Sequence, residues 1–219
     1  MAEPISLKDV QGVGPATASK LRQVGITTIE ALAVTPVREI TDKTDIGFEK
    51  ALQIILEARK LVQADWTTAK ELWERRKGML RCSTGSQKLD ALLAGGIETQ
   101  AMTELIGEYG VGKTQICLKL CVMAQLPKDQ GGLEGNALFI DTEGTFSPER
   151  VYRMAAAMGL DPQQMLNNVI IARVYNSDHQ SFLIDGLFKV CPEENVKLVV
   201  VDSMISHFRG EYVGRESLA

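Results

Sequence analysis

Eight residues, Gly107–Thr114, constrain this 219-residue chain more than any others. They read GEYGVGKT, a G-x-x-x-x-G-K-[ST] pattern between Met102–Ile106, which reads as a strand, and the helical run Ile116–Ala124. Strand, glycine loop and helix is the context that gives this pattern meaning. The glycines let the backbone wrap a phosphate without Cβ clashes, and the N–H groups at the start of the following helix face the anion. Lys113 adds a point charge for the β- and γ-phosphates, and the Thr114 hydroxyl is a ligand for Mg²⁺. The segment therefore predicts an ATP site built from Gly107, Glu108, Tyr109, Gly110, Val111, Gly112, Lys113, Thr114 and Gln115.

Two carboxylates complete that expectation. LVVVDS (Leu198–Ser203) is an apolar run ending in Asp202. A carboxylate at the C-terminal end of a parallel strand lies where such sheets place ligands, so Asp202 is the expected Mg²⁺ partner of Thr114. ALFIDTEG places Asp141 and Glu143 at the end of a second strand. Glu143 is positioned to polarise an attacking water as general base; Asp141 competes for that role, but it is closer to the strand and so better suited to a structural one. Thr145 and Ser147 suit the cap of the next helix.

From about residue 80 apolar strands alternate with helices of 10–15 residues: Ala137–Ile140, Pro148–Met158, Val169–Ala172, Phe182–Val190 and Lys197–Val201. That alternation predicts an α/β core with a parallel, helix-covered sheet. Residues 1–62 read instead as a small all-α module. Pro15 opens a helix that stops near Gly25, Thr28 caps another through Leu32, and Phe48–Val62 carries a helical stripe of Phe48, Ala51, Leu52, Ile55, Leu61 and Val62. Residues 63–79 read as a linker helix with Asp65 as its cap and Trp66, Ala69 and Trp73 on one face. No internal repeat is evident.

QGVGPATASKL (Gln11–Leu21) has the form of a helix-hairpin-helix turn. Its tight Gly12-Val13-Gly14 corner exposes backbone N–H groups suited to a DNA phosphate, or serves packing alone. Charge does not decide between them: through Lys60 there are eight Lys and Arg against eight Asp and Glu. The whole chain has 24 basic and 28 acidic residues, a formal charge of −4, which argues against a general nucleic-acid coat but not against a local basic site. Cys82, Cys117, Cys121 and Cys191 lack paired metal-ligand spacing and read as reduced thiols. No apolar run approaches membrane-spanning length and no leader pattern opens the chain, so a cytoplasmic protein without membrane contact is expected.

Taken together, the hairpin module, the linker, CSTGSQKLDALLAGGIETQAMTELIGEYGVGKTQIC, FIDTEGTFSPER, NSDHQ and VVVDSMISHFRGEYVGR resemble the archaeal RadA strand-exchange recombinases of the RecA superfamily. The resemblance runs from about Leu7 to Ala219. It implies a RecA-like ATPase core over 80–219 after a helix-hairpin-helix domain, using ATP and Mg²⁺. It also implies assembly as a filament or ring of identical subunits on single-stranded DNA, and strand exchange with a duplex. By the same resemblance Glu143 is the catalytic carboxylate alongside Lys113, and Arg150 stacks on adenine. Trp66-x-x-Ala69 would insert into a neighbouring subunit, with Trp66 in place of the family's usual Phe. Arg209 and Arg215 match arginines of the first DNA-binding loop; sequence alone would read them as solvated. The family continues about a hundred residues beyond this point, through a strand inserted between the Asp202 strand and the glycine-loop strand. The expectation is thus a C-terminally truncated fragment with an incomplete sheet. Two other readings fit the same residues: a RecA-superfamily paralogue or mediator ATPase that loads or regulates the recombinase, and a DNA-binding adaptor with a vestigial ATP site.

Overall fold

The computed structural model describes residues 6–62 and 67–211, without the side chain of Arg75. The main division between its two compact units falls between Trp73 and Glu74.

The first unit is helical. A single 3₁₀ turn at Leu7–Asp9 precedes α1 (Pro15–Gln23), α2 (Ile29–Val34), α3 (Val37–Lys43) and α4 (Phe48–Leu61); α5 (Ala69–Arg76) follows. Pro15 occupies the first turn of α1, where its missing N–H costs nothing. Thr28 caps α2, its hydroxyl accepting from Ala31 N–H at 3.1 Å. Leu7, Leu21, Leu32, Ile40, Ile54 and Ile55 close one core. The stripe on α4 differs from the sequence expectation. Ala51, Ile54, Ile55 and Ala58 are buried, whereas Phe48 is 58% exposed and Leu52, Leu56 and Leu61 are also exposed. A helical face about 100° wide fits both phases in sequence, and only contact with α2 and α3 selects one. The start of α5 is likewise set by a capping box: Thr68 Oγ1 accepts from Glu71 N–H, and Glu71 Oε2 accepts from Thr68 N–H. Asp65, the expected cap, lies outside the described residues.

Thr28→Ala removes the hydroxyl that caps α2 and is expected to cost about 1 kcal/mol. The readout is the urea midpoint of the helical signal; an unmoved midpoint would mean that water replaces the cap.

The second unit opens with a two-residue antiparallel pair, β1 (Arg81–Cys82) with β2 (Ile97–Glu98), around α6 (Gln87–Leu92). Then follow α7 (Lys113–Met123), β3 (Asn136–Asp141), α8 (Pro148–Ala157), α9 (Pro162–Asn167), β4 (Val169–Arg173), α10 (Ser177–Glu193), β5 (Val196–Asp202) and α11 (Ser206–Glu211). The sheet order is β4-β3-β5, all parallel. The α/β class with a preceding all-α unit is as the sequence predicts.

The expected strand Met102–Ile106 does not form. The segment is in no sheet, and Met102 and Ile106 are almost wholly exposed. A strand exists through ladder hydrogen bonds to a neighbour, and the described residues supply none for this segment: β5 is paired on one side only, to β3. The packing is also one-sided. Leu118, Cys121 and Val122 of α7 and Val151 and Ala155 of α8 cover Ala137, Phe139, Val169 and Val200, while Ile171 and Val199 are exposed. Among the described residues no helix is long and apolar enough to cross a membrane.

Candidate functional site

The sheet aligns its strand ends. Asp141 sits opposite Arg173 on one side and Asp202 on the other, so three charged residues line the C-terminal edge. The chain passes from β3 to β4 on one flank and returns to β5 on the other. The switch point therefore lies between β3 and β5, where open parallel sheets bind ligands.

α7 begins at that edge. Gly112 is its N-cap in a left-handed conformation (φ +99°), as is Gly110 (φ +82°), and the space a Cβ would fill is open at both. The first intrahelical bond runs from Ile116 N–H to Gly112 O, which leaves the N–H groups of Lys113, Thr114 and Gln115 without intrahelical acceptors. Glycine-permitted curvature and free N–H groups at an eleven-residue helix make a fitting phosphate cradle. Lys113 folds over the loop, its Nζ donating to Gly107 O at 2.7 Å and Glu108 O at 2.8 Å. A phosphate would take over this ammonium by offering charged oxygens in place of two neutral carbonyls. Glu108, Tyr109 and Val111 are exposed on the same loop.

Thr114 Oγ1 donates to Asp202 Oδ2 at 2.7 Å, across 88 residues of sequence. A hydroxyl and a carboxylate in contact are hard oxygen donors of the kind Mg²⁺ takes. Such an ion, when bound, would neutralise phosphate charge there. Behind this pair, burial first and the nearby Asp202 charge second push the Cys117 thiol up to about 11. Burial pushes Cys82 up to about 11 as well and drives Cys121 higher still. All four cysteines are free, and thiols held neutral behave as small apolar fillers.

The two carboxylates after β3 are in contrasting surroundings. Asp141 is 4% exposed, its Oδ1 accepting from Gly144 N–H (2.7 Å) and Thr145 N–H (3.0 Å), its Oδ2 from Phe146 N–H (3.3 Å) and Arg173 Nη1 (3.2 Å). Glu143, on the loop that Asp141 shapes, is exposed. Ser147, not Thr145, caps α8, its hydroxyl accepting from Arg150 N–H.

Gln115 and Arg150 meet in an open depression of about 460 Å³, lined also by Ser147, Glu149, Arg153 and Met154. Arg153 is not legible in the sequence, because an arginine on an amphipathic helix carries no signal of its own.

The remaining expectations are scattered. Arg209 is exposed in the last turn of α11, and Ala69 is exposed at the first position of α5. Arg215 and Trp66 lie outside the described residues. In the helical unit Gly12 adopts φ +91°, and a Cβ there would come within 3.3 Å of Ile54 Cγ2, so the corner requires glycine. Gly14 is the N-cap of α1. A second corner repeats the first: buried Ile46 and N-cap Gly47 before α4 match buried Val13 and N-cap Gly14 before α1. Only two positions in each corner are shared, too few to show as a repeat in the sequence. The second corner carries Asp45, whose carboxylate pairs with Lys20 at 2.7 Å.

Comparison with known proteins agrees with this architecture. The Rad51 family model matches residues 75–219, and the SAM-like helix-hairpin-helix tandem model matches residues 5–60. Proteins named DNA repair and recombination protein RadA from Aeropyrum pernix, Metallosphaera sedula and Ignicoccus hospitalis are similar to this chain. They are 48%, 47% and 48% identical over 97%, 98% and 99% of it. The chain spans about two thirds of the length of these relatives, 67%, 66% and 67%. The chain belongs to the Rad51 family, with archaeal RadA proteins among its relatives.

Proposed function

We infer that the protein is an ATP-dependent DNA recombinase that assembles on single-stranded DNA and promotes homologous pairing and strand exchange in recombinational repair. The observation that supports this reading is the 2.7 Å contact of Thr114 with Asp202 at the mouth of the glycine loop, in a Rad51-family chain: a hydroxyl and a carboxylate that would hold Mg²⁺ beside an ATP phosphate. Lys113 would hold the phosphates, Glu143 would polarise water, and Arg150 with Gln115 would border the base. Arg209 and Arg215 would meet single-stranded DNA, the Gly12–Gly14 corner would meet a DNA backbone, and Trp66 with Ala69 would join identical subunits into a filament or ring. Duplex DNA is the second substrate, and the cytoplasm the site of action.

The test, on the full-length protein, is binding of a labelled single-stranded oligonucleotide with and without ATP and Mg²⁺, followed by strand exchange with a homologous duplex. Nucleotide is expected to raise DNA affinity by about 5- to 150-fold, the usual range for coupled sites. Equal affinity in both conditions would sink the reading.

A further inference from the structure

We propose that Ser177 and Gln180 are positioning residues that clamp the connection from β5 to α11, and so couple nucleotide occupancy at Thr114 to DNA binding at Arg209. The proposal rests on the recombinase reading above.

The connection from Asp202 to Glu211 is held at three levels. At its root, Asp202 accepts from Thr114, and the next residue exchanges two hydrogen bonds with the end of β3. Ser203 N–H donates to Thr142 Oγ1 at 2.6 Å, and that hydroxyl donates to Ser203 O at 2.9 Å. In the middle, Gln180 Nε2 donates to Met204 O at 2.8 Å. At its far end, Glu211 Oε1 accepts from Ser177 N–H at 2.9 Å, and Glu211 Oε2 accepts from the Ser177 hydroxyl. The upper two holds both come from the first turn of α10.

That turn is itself fixed. Asn176 caps it by accepting from His179 N–H at 2.7 Å, and Val174 N–H donates to Asp141 O at 3.0 Å. The first turn of α10 is therefore the fixed jaw, referenced to the same strand β3 that borders the nucleotide site. The connection is held against it by the Gln180 and Ser177 bonds. A cation ligated by Thr114 would give Asp202 a second partner, and any shift of Asp202 passes through Ser203 and Met204 to the clamp. Two sites are coupled when one element makes different contacts in the two states, and this connection touches both.

Gln180 is the strongest sign that the clamp is more than packing. It is 1% exposed, and its Oε1 is buried without a hydrogen-bond partner among the described residues. A methionine would fill the same space without burying an unpaired acceptor. What the amide adds is its Nε2 bond to the Met204 carbonyl. Ser177, 2% exposed, is a second buried polar group spent on the same connection.

The test measures the gain in affinity for a fluorescein-labelled oligothymidylate on adding a non-hydrolysable ATP analogue with Mg²⁺. Gln180→Met and Ser177→Ala are each expected to cut this gain by about fivefold or more, with binding of a fluorescent ATP analogue unchanged. Ser177→Thr, which restores the hydroxyl, is expected to recover the gain; a merely structural serine would show no such order. Should Gln180→Met fail to fold, the Ser177 pair decides alone. Wild-type gain in the folded variants, or Ser177→Thr behaving as Ser177→Ala, would overturn the clamp and leave the recombinase reading standing. A wild-type protein with no gain would sink the recombinase reading, and the clamp with it.

Discussion

Glu143→Gln is expected to slow ATP hydrolysis by about 10²- to 10⁴-fold, the contribution of a well-placed general base, while leaving nucleotide binding intact. The carboxylate sits on an exposed loop at the C-terminal edge of the sheet, beside the switch point between β3 and β5. It has the access to water that Asp141 lacks. The amide keeps the size and polarity of the side chain, so the loop, held by Asp141 and not by Glu143, has no reason to move. ATP should therefore still dock on the N–H groups of α7 and on Lys113. Steady-state phosphate release and binding of a fluorescent ATP analogue separate the two effects. Loss of both together would place Glu143 in nucleotide binding, and unchanged turnover would move the base to another residue.

How far this site could be read from sequence depends on how local its determinants are. The glycine loop was legible because four residues within eight carry its pattern, and the structure gives Gly110 and Gly112 a left-handed backbone that glycine permits. Asp202 was legible because an apolar run fixes where its strand ends. Their mutual contact, 88 residues apart, became certain only through the parallel pairing of β5 on β3. The helices α1 and α2 announced themselves through Pro15, Gly25 and Thr28, all acting within a turn or two.

What the sequence concealed depends on partners. Met102–Ile106 has strand character, but a strand is a relation between two segments, and among the described residues β5 pairs only with β3. The buried phase of α4 needed α2 and α3 to choose between Phe48 with Leu52 and Ile54 with Ile55. The second hairpin corner shares only a buried aliphatic residue and a glycine with the first, too little to count as a repeat without the fold. The holds of Ser177 and Gln180 on Met204 and Glu211 join residues 24 and 34 positions apart, through types that occur everywhere in loops and helix starts.

Asp141→Ala is the counterpart prediction, and its effect is on stability. One carboxylate at the end of β3 accepts three backbone N–H groups and the Arg173 guanidinium. These four donors fold the chain back into the loop that bears Glu143 and leads to the Ser147 cap of α8. With the side chain truncated, the N–H groups of Gly144, Thr145 and Phe146 lose their acceptor in a part-buried place. Each unpaired buried group costs about 1–3 kcal/mol, but water can reach some of them, so a total near 3 kcal/mol is expected. Arg173, nearly half exposed, re-solvates at little cost and adds less. Asp141→Asn keeps one acceptor oxygen and should lose about half as much. Urea unfolding followed by the helical signal gives the stability. A loss below about 1 kcal/mol for Asp141→Ala would mean that the loop holds its shape without its carboxylate. A large fall in turnover at full stability would instead assign Asp141 the chemical role proposed for Glu143.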